Sequence, residues 1–394
     1  MPSVILSAAR TPVGSFGGAL KDVAAPHLGA AAIRGALDRA GVAPEQVDEV
    51  MMGCVVTAGV GQAPARQAAL HAGLPESVPC VTVNKVCGSG MKTVLLADQS
   101  IRAGDNAVVV AGGMENMSQA PFLLDKARYG YGYGNATLVD ALFHDGLRDA
   151  YDGSAMGVAA DLCADTCNVP REAQDAFSIE SYRRAQASVE GGAFAEEIVP
   201  VTVKGRKGDT VVERDEEPFN TNFEKIPTLR PVFTKEGTVT AANASTINDG
   251  AAALVVASEE WARANGKQPL ARIVATAQHS QKPVEFTTAP IGAINRVLEK
   301  AGLTLDDIDL FEINEAFAVV ALAARDQLGI PHDKLNVRGG AVAVGHPIGA
   351  SGARILTTLL YAMAERGAKR GLAAICIGGG EATAIVVERW ANGD

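Results

Sequence analysis

Residues 27–50 read HLGAAAIRGALDRAGVAPEQVDEV, and residues 290–313 read PIGAINRVLEKAGLTLDDIDLFEI. Each stretch spaces its apolar residues for a helix, breaks at Ala-Gly, crosses a short acidic run and ends in an apolar strand. The likeness continues downstream. GSGMKTVLLA at 88–97 resembles ASGARILTTLL at 350–360, and AVVVAGGMENMS at 107–118 resembles AAICIGGGEATA at 373–384. Each half therefore reads strand, helix, strand, helix, strand, an α/β pattern with helices covering a sheet. A period this long is not a solenoid. It predicts two similar α/β halves packed together, with residues 1–118 and 246–270 in the first and 271–394 in the second.

Residues 119–245 break the repeat. They hold a Gly/Tyr run (ARYGYGYGNA), an alanine-rich helical stretch and a charged helix, REAQDAFSIESYRRAQASVEGG, with Pro170 placed for its first turn. The remainder, 201–233, is polar and turn-rich. We read 119–245 as an inserted loop domain.

The 394 residues suffice for two or three domains at ~150 residues each. Hydrophobic content of 47% with 20% charged residues is globular. A net charge of −10 argues against a nucleic-acid or membrane-surface binder. No apolar run approaches the ~20 residues of a membrane span. The N-terminus, MPSVILSAARTPVG, begins directly with a strand and lacks the features of a signal peptide or presequence, so a cytoplasmic location is expected. The six cysteines are scattered, which speaks against a disulfide framework. Cys163 and Cys167 would share a helix face, but nothing nearby completes a metal site, and we read them as packing residues.

Cys87 stands between a β-branched strand (VTVNKV) and a helix that stops at Gly104. A thiol there faces unpaired N–H groups and the positive end of the helix dipole, which favour thiolate and make Cys87 a candidate nucleophile. His346 stands among five glycines between 339 and 352 and is a candidate base. Cys376 ends a strand before Gly378, Gly379 and Gly380. In EINEAFA, 312–318, Asn314 follows an apolar strand and could cap the next helix, with Glu315 in its first turn.

Taken together, in this order and with these flanks, the motifs resemble the thiolase family from SAARTPVGSFGG at 7–18 to the final strand. ANASTINDGAAAL at 242–254 and FTTAP at 286–290 look most like its acetoacetyl-CoA-forming, mitochondrial-type members. The resemblance implies a thiolase-like fold of layered sheets and helices, with the helices after Cys87 and His346 meeting at the centre and 119–245 covering the coenzyme. It implies reversible Claisen condensation of two acetyl-CoA to acetoacetyl-CoA and CoA through an acetyl-Cys87 intermediate. His346 would activate the nucleophile and bind the second thioester oxygen, and Cys376 would shuttle the α-proton. Asn314 would hold a water of an oxyanion hole, and the N–H groups of Cys87 and Gly378 would stabilise the tetrahedral intermediate. Leu147, Met156, Ser245, Ala316 and Phe317 match positions along the CoA path. No cofactor or metal is implied, since the coenzyme A thioester is the substrate. A homotetramer, a dimer of dimers, is implied as well.

Candidate cations for the CoA phosphates are Lys204, Arg206, Lys207, Lys225 and Arg230, among which the sequence does not choose. The chain departs from the common family pattern at Ala155, at Pro218 or Phe219, and at Arg338, Ile377 and Glu381. Two rival readings stay open: a broader 3-ketoacyl-CoA thiolase of fatty-acid or branched-acid degradation, and a non-catalytic CoA- or lipid-binding protein on the same fold.

Overall fold

The computed structural model describes residues 2–390. Its main strands are β1 (Ser3–Arg10), β2 (Glu49–Gly53), β3 (Cys80–Val83), β4 (Val108–Asn116), β5 (Asn248–Ser258), β6 (Ala271–Ser280), β7 (Leu310–Ile313), β8 (Arg370–Ile377) and β9 (Glu381–Arg389). Its main helices are α1 (Ala25–Ala40), α2 (Ser89–Ala103), α3 (Met156–Thr166), α4 (Arg171–Glu190), α5 (Ala289–Ala301), α6 (Ala318–Leu328) and α7 (Ser351–Arg366).

The strands form one sheet in the order β7-β8-β9-β6-β1-β5-β4-β2-β3. Read outward from the β1–β6 junction, the two sides follow the same plan. On one side β1–β5 and β5–β4 are antiparallel and β4–β2 is parallel; on the other β6–β9 and β9–β8 are antiparallel and β8–β7 is parallel. Where β3 continues the first side, a single Phe311–Leu335 bridge stands on the second. The internal repeat is thus a repeat of topology. The halves also share an edge, because β1 and β6 pair at Val4–Arg272 and Ile5–Ala271.

Strand alternation assigns the faces. Val109 and Ala111 of β4 pack with Met91, Val94 and Leu95 of α2 and Leu356 and Leu359 of α7, while Val108 and Val110 pack with Leu28, Ile33 and Leu37 of α1. In the second half Ala373 and Ile375 face the central helices, and Leu372 and Ala374 face Ile294 and Val297 of α5. Helices α2 and α7 are therefore sandwiched between the half-sheets, with α1 and α5 outside. The Ala-Gly breaks read from sequence are left-handed helix ends: Gly41 (φ 57°) after α1 and Gly302 (φ 65°) after α5.

The insertion does not fold around a core of its own. Ala160, Cys163 and Ala164 of α3 and Phe177, Tyr182 and Ala185 of α4 share a buried cluster with Val319 and Ala323 of α6. Pro170 sits just before α4 rather than inside its first turn. Arg10, fully buried, ties the insertion to β1: it donates to Glu197 at 2.5 Å and to Asp215 at 2.7 and 2.9 Å. Glu197 also accepts from Thr358 of α7 and from Arg338. Removing one member of such a buried pair typically costs ~3–5 kcal/mol, because its partner is left charged and dry.

The N-termini of α2 and α7 meet backbone to backbone. A Cβ on Gly90 would lie 3.0 Å from Ala353 N and from Gly349 O, and one on Gly352 would lie 2.7 Å from Met91 Cβ. These are the glycines of the repeated GSG and ASG triplets. Gly352→Ala should therefore lower stability by about 1–3 kcal/mol through overpacking, read as a lower urea midpoint with an unchanged slope. A wild-type midpoint would mean that the helices are free to part.

Candidate active site

Cys87 is the residue before the Gly88 cap of α2, and the turn that presents it is tight. Gly88 N–H donates to Lys85 O at 3.0 Å, Ser89 N–H donates to Val86 O at 3.0 Å, and the Ser89 hydroxyl accepts from Lys85 N–H at 2.8 Å. Val86 is held at φ 45°, which a β-branched residue rarely adopts, so the turn is constrained by its surroundings. Across the site, β8 and β9 are joined by the Gly378–Gly380 turn, and the side chain of Ile377 fills the space that a Cβ on Gly88 would need.

The sulfur meets two opposed influences. Burial pushes the Cys87 thiol up to about 11, against the Gly378 and Cys87 N–H groups, which favour the thiolate. Burial wins, so the thiolate expected from the helix terminus alone is not the resting form. Cys376 is fully buried behind this position, and desolvation first, then the proximity of Cys87, holds its thiol well above the ordinary value.

His346 is set by Asn248 and by a Ser351 that is itself anchored. Its N–H donates to Asn248 Oδ1 at 2.9 Å. Its Nδ1 lies 2.5 Å from Ser351 Oγ, and that hydroxyl donates to Pro347 O at 2.8 Å. The Ser351 proton is thus committed, so Nδ1 carries the imidazole hydrogen and Nε2 keeps its lone pair. Burial first, then the Arg354 charge, lowers the imidazole to about 3, which makes it a neutral base at neutral pH. Glu115, at the end of β4, accepts from the N–H groups of Val55, Val56 and Gly349 at 3.0, 3.1 and 2.9 Å. One buried carboxylate thereby fixes the His346–Gly349 loop to the first half.

Asn314 does not cap α6. That helix starts at Ala318 with Phe317 at its cap and no side-chain cap bond. Asn314 Nδ2 instead lies 3.5 Å from His346 Nε2, and its buried Oδ1 has no partner. Glu315 is likewise outside the first turn, buried and accepting from Ser181, Asn336 and Val342. Asn336 explains the difference: its amide pairs with both Ile313 N–H and Ile313 O at 2.8 and 2.9 Å, so the chain stays extended past β7.

A cavity of about 590 Å³ opens at this point. Cys87, His346 and Gly378 line it, together with Leu147, Met156, Ser245, Ala316 and Phe317. Cys376 and Asn314 stand behind the wall. Ser245 is occupied locally, since its hydroxyl donates to Ala316 O at 2.9 Å and pins the segment before β5 to the start of α6. Ala155 is also in the wall, at the N-terminus of α3. None of Lys204, Arg206, Lys207, Lys225 and Arg230 lines the cavity, which contains no basic side chain other than His346. Arg338 reaches Glu197 and Glu365 rather than the His346 loop. Cys163 and Cys167 have sulfurs 3.9 Å apart, and no group of three metal-ligating side chains occurs among the described residues. Glu115, Asn248, Ser351 and Asn336 were not singled out from the sequence.

Comparison with known proteins bears on the same residues. Residues 3–260 match the family model "Thiolase, N-terminal domain" and residues 267–389 match "Thiolase, C-terminal domain". The chain is 52% identical over 387 residues to an acetyl-CoA acetyltransferase of Schizosaccharomyces pombe, covering 98% of both proteins. It is 53% identical over 388 residues to an acetyl-CoA acetyltransferase of Cupriavidus necator, covering 98% of this chain and 99% of the relative. A Yarrowia lipolytica acetyl-CoA acetyltransferase is 53% identical over 385 residues, covering 98% and 96%.

The electrostatics give a direct test. With the thiol at about 11, the thiolate fraction, and hence alkylation of Cys87 by iodoacetamide, should rise about tenfold per pH unit between about pH 7 and 9. Loss of the proton, not its gain, creates the reactive form, so the rate falls toward acid. A plateau near neutral pH would show a thiolate already formed.

Proposed function

The chain belongs to the thiolase family and is an enzyme of it, and from that premise we propose that it is an acetyl-CoA C-acetyltransferase working through acetyl-Cys87. The observation that carries the proposal is the single cavity lined by Cys87, His346 and Gly378, with Asn314 and Cys376 behind its wall. Its remaining lining is mainly apolar, with Phe143, Leu147, Met156, Phe233, Phe286 and Phe317, which suits a pantetheine chain and a short acyl group.

In the first half-reaction the Cys87 sulfur attacks the thioester carbon of acetyl-CoA, and His346 Nε2 takes the thiol proton. The carbonyl oxygen becomes an oxyanion toward which the Cys87 and Gly378 N–H groups point. CoA then leaves as a thiol, taking the proton from His346. A neutral thiol beside a neutral imidazole suits this order, because charge develops only as the bond forms. One oxyanion donor is typically worth ~3 kcal/mol of barrier.

The second half-reaction is simplest in the cleavage direction. The Cys87 sulfur attacks the 3-keto carbon of acetoacetyl-CoA and gives its proton to His346 Nε2. As the carbon–carbon bond breaks, the neutral Cys376 thiol protonates the acetyl-CoA carbanion and is reprotonated by His346, leaving the acetyl group on Cys87. Condensation is the reverse: His346 Nε2 takes the Cys376 proton, the Cys376 thiolate takes the methyl proton, the carbanion attacks the acetyl-Cys87 carbon, and the imidazolium returns the proton to the departing Cys87 sulfur. Asn314 Oδ1, buried with no partner among the described residues, holds a water in this scheme that assists at the second thioester oxygen together with His346. Ser351 keeps Nε2 on the side of the chemistry throughout.

Incubation with acetyl-CoA followed by digestion should place one acetyl group on the Cys87 peptide. Cys376→Ser should reduce condensation far more than exchange of labelled CoA into acetyl-CoA. Acetyl on Cys376 instead, or equal loss of both reactions, would overturn the division of roles. Thiolysis of acetoacetyl-, 2-methylacetoacetyl- and longer 3-ketoacyl-CoA would set the chain-length range, with the first expected fastest.

We also propose that the protein acts as a homotetramer. In support, the hairpin Phe122–Leu124 and Leu138–Asp140 carries Phe122, Leu124, Tyr129, Tyr133 and Leu138 exposed to solvent, an apolar surface that a lone monomer rarely presents. Light scattering should give about four times the 40.7 kDa of the chain, and a monomer at micromolar concentration would refute this.

A further inference from the structure

The Gly378–Gly380 turn supplies one of the N–H groups that face Cys87, yet it has no side chain with which to hold itself. Gly379 is at φ 92° with open space where its Cβ would be. Its anchors are the Ile377–Glu381 ladder pair beneath it, a bond from Gln281 N–H to Gly380 O at 2.8 Å, the Ile377 side chain against Gly88, and an ion pair between Glu381 and Lys85. The ion pair differs from the others in joining the turn to the nucleophile segment by charge. Lys85 is two residues before Cys87 and is rigidly part of its turn: its N–H donates to Ser89 and its carbonyl accepts from Gly88. Glu381 opens β9 directly after the glycines. It stands where the sequence departs from the small residue common in the family. Lys92, one helical turn along α2, feels both charges.

We propose that Lys85 and Glu381 are positioning residues for acyl transfer: their ion pair straps the Gly378 turn of the second half to the Cys87 turn of the first and sets the spacing of the two oxyanion donors. The proposal rests on the reading of Cys87 and Gly378 given above. Both side chains are partly exposed, 22% and 35%. Such a pair adds little to global stability. An oxyanion donor, by contrast, is worth on the order of a hundredfold in turnover, so partial misplacement appears in kcat rather than in folding.

Glu381→Gln should lower kcat about five- to tenfold while leaving the acetyl-CoA KM within about twofold and the urea midpoint unchanged. Lys85→Met should lose less, because Lys92 remains near Glu381. The double variant should be no worse than Glu381→Gln alone, and exchanging the charges, Lys85→Glu with Glu381→Lys, should recover most of the loss. Wild-type kcat at saturating substrate should fall with added salt, and Glu381→Gln should lose that dependence. Wild-type kcat in the single variants, or losses that add without recovery on exchange, would overturn the strap. Acetyl labelling of wild-type Cys87 separates the two levels. An unlabelled wild type defeats the underlying reading, whereas a labelled wild type with unaffected variants defeats the strap alone.

Discussion

Everything in this molecule depends on two backbones touching. The N-termini of α2 and α7 approach so closely that neither Gly90 nor Gly352 has room for a methyl group. That contact brings the turn bearing Cys87 and the loop bearing His346 to one cavity, although they are separated by most of the chain. The two helices meet between the half-sheets, both of which pack against them. Glu115 completes the junction by binding both the Val55–Val56 segment and Gly349, so the loop bearing His346 is referenced to the half that holds Cys87.

The same burial that gives the site its geometry sets its charge state. Around Cys87, Cys376 and His346, desolvation outweighs every neighbouring dipole, and all three rest neutral. With these three groups neutral, none of them carries a charge that must stay hydrated, which suits a cavity lined mainly by apolar side chains. Farther from the cavity, Arg10, Glu197, Asp215 and Arg338 hold the insertion against β1 and α7, where their mutual hydrogen bonds satisfy them.

Local pattern made the architecture legible and the site partly so. The matched runs at 27–50 and 290–313 forecast two halves of one plan, and α1, α5 and their glycine ends follow from spacing alone. Cys87 at a helix start was readable for the same reason. Its resting state was not, because the dipole is visible in sequence and the depth of burial is not. Asn314 shows the limit differently. NEAF has the composition of a helix cap, but Asn336, more than twenty residues on, occupies the backbone of Ile313 and keeps the segment extended. Ser351 and Asn248 escaped notice because their importance lies in what they touch across the fold. The shared β1–β6 edge was invisible for the same reason, since a strand's sequence does not name its neighbour.

That edge has a consequence for how the chain is made. β1 precedes the other strands in chain order and belongs at the middle of the sheet, yet its partners are β5, paired from Ser3–Ser258, and β6, paired at Val4–Arg272. At ordinary rates of synthesis its two hydrogen-bonding flanks stay unfilled for on the order of ten to fifty seconds. During that interval an apolar strand waits with both sides open, while β2, β3 and β4 can already assemble around α2. That interval is when the edges of β1 are open to pairing with another chain, and it closes only once β5 and β6 exist to cover them.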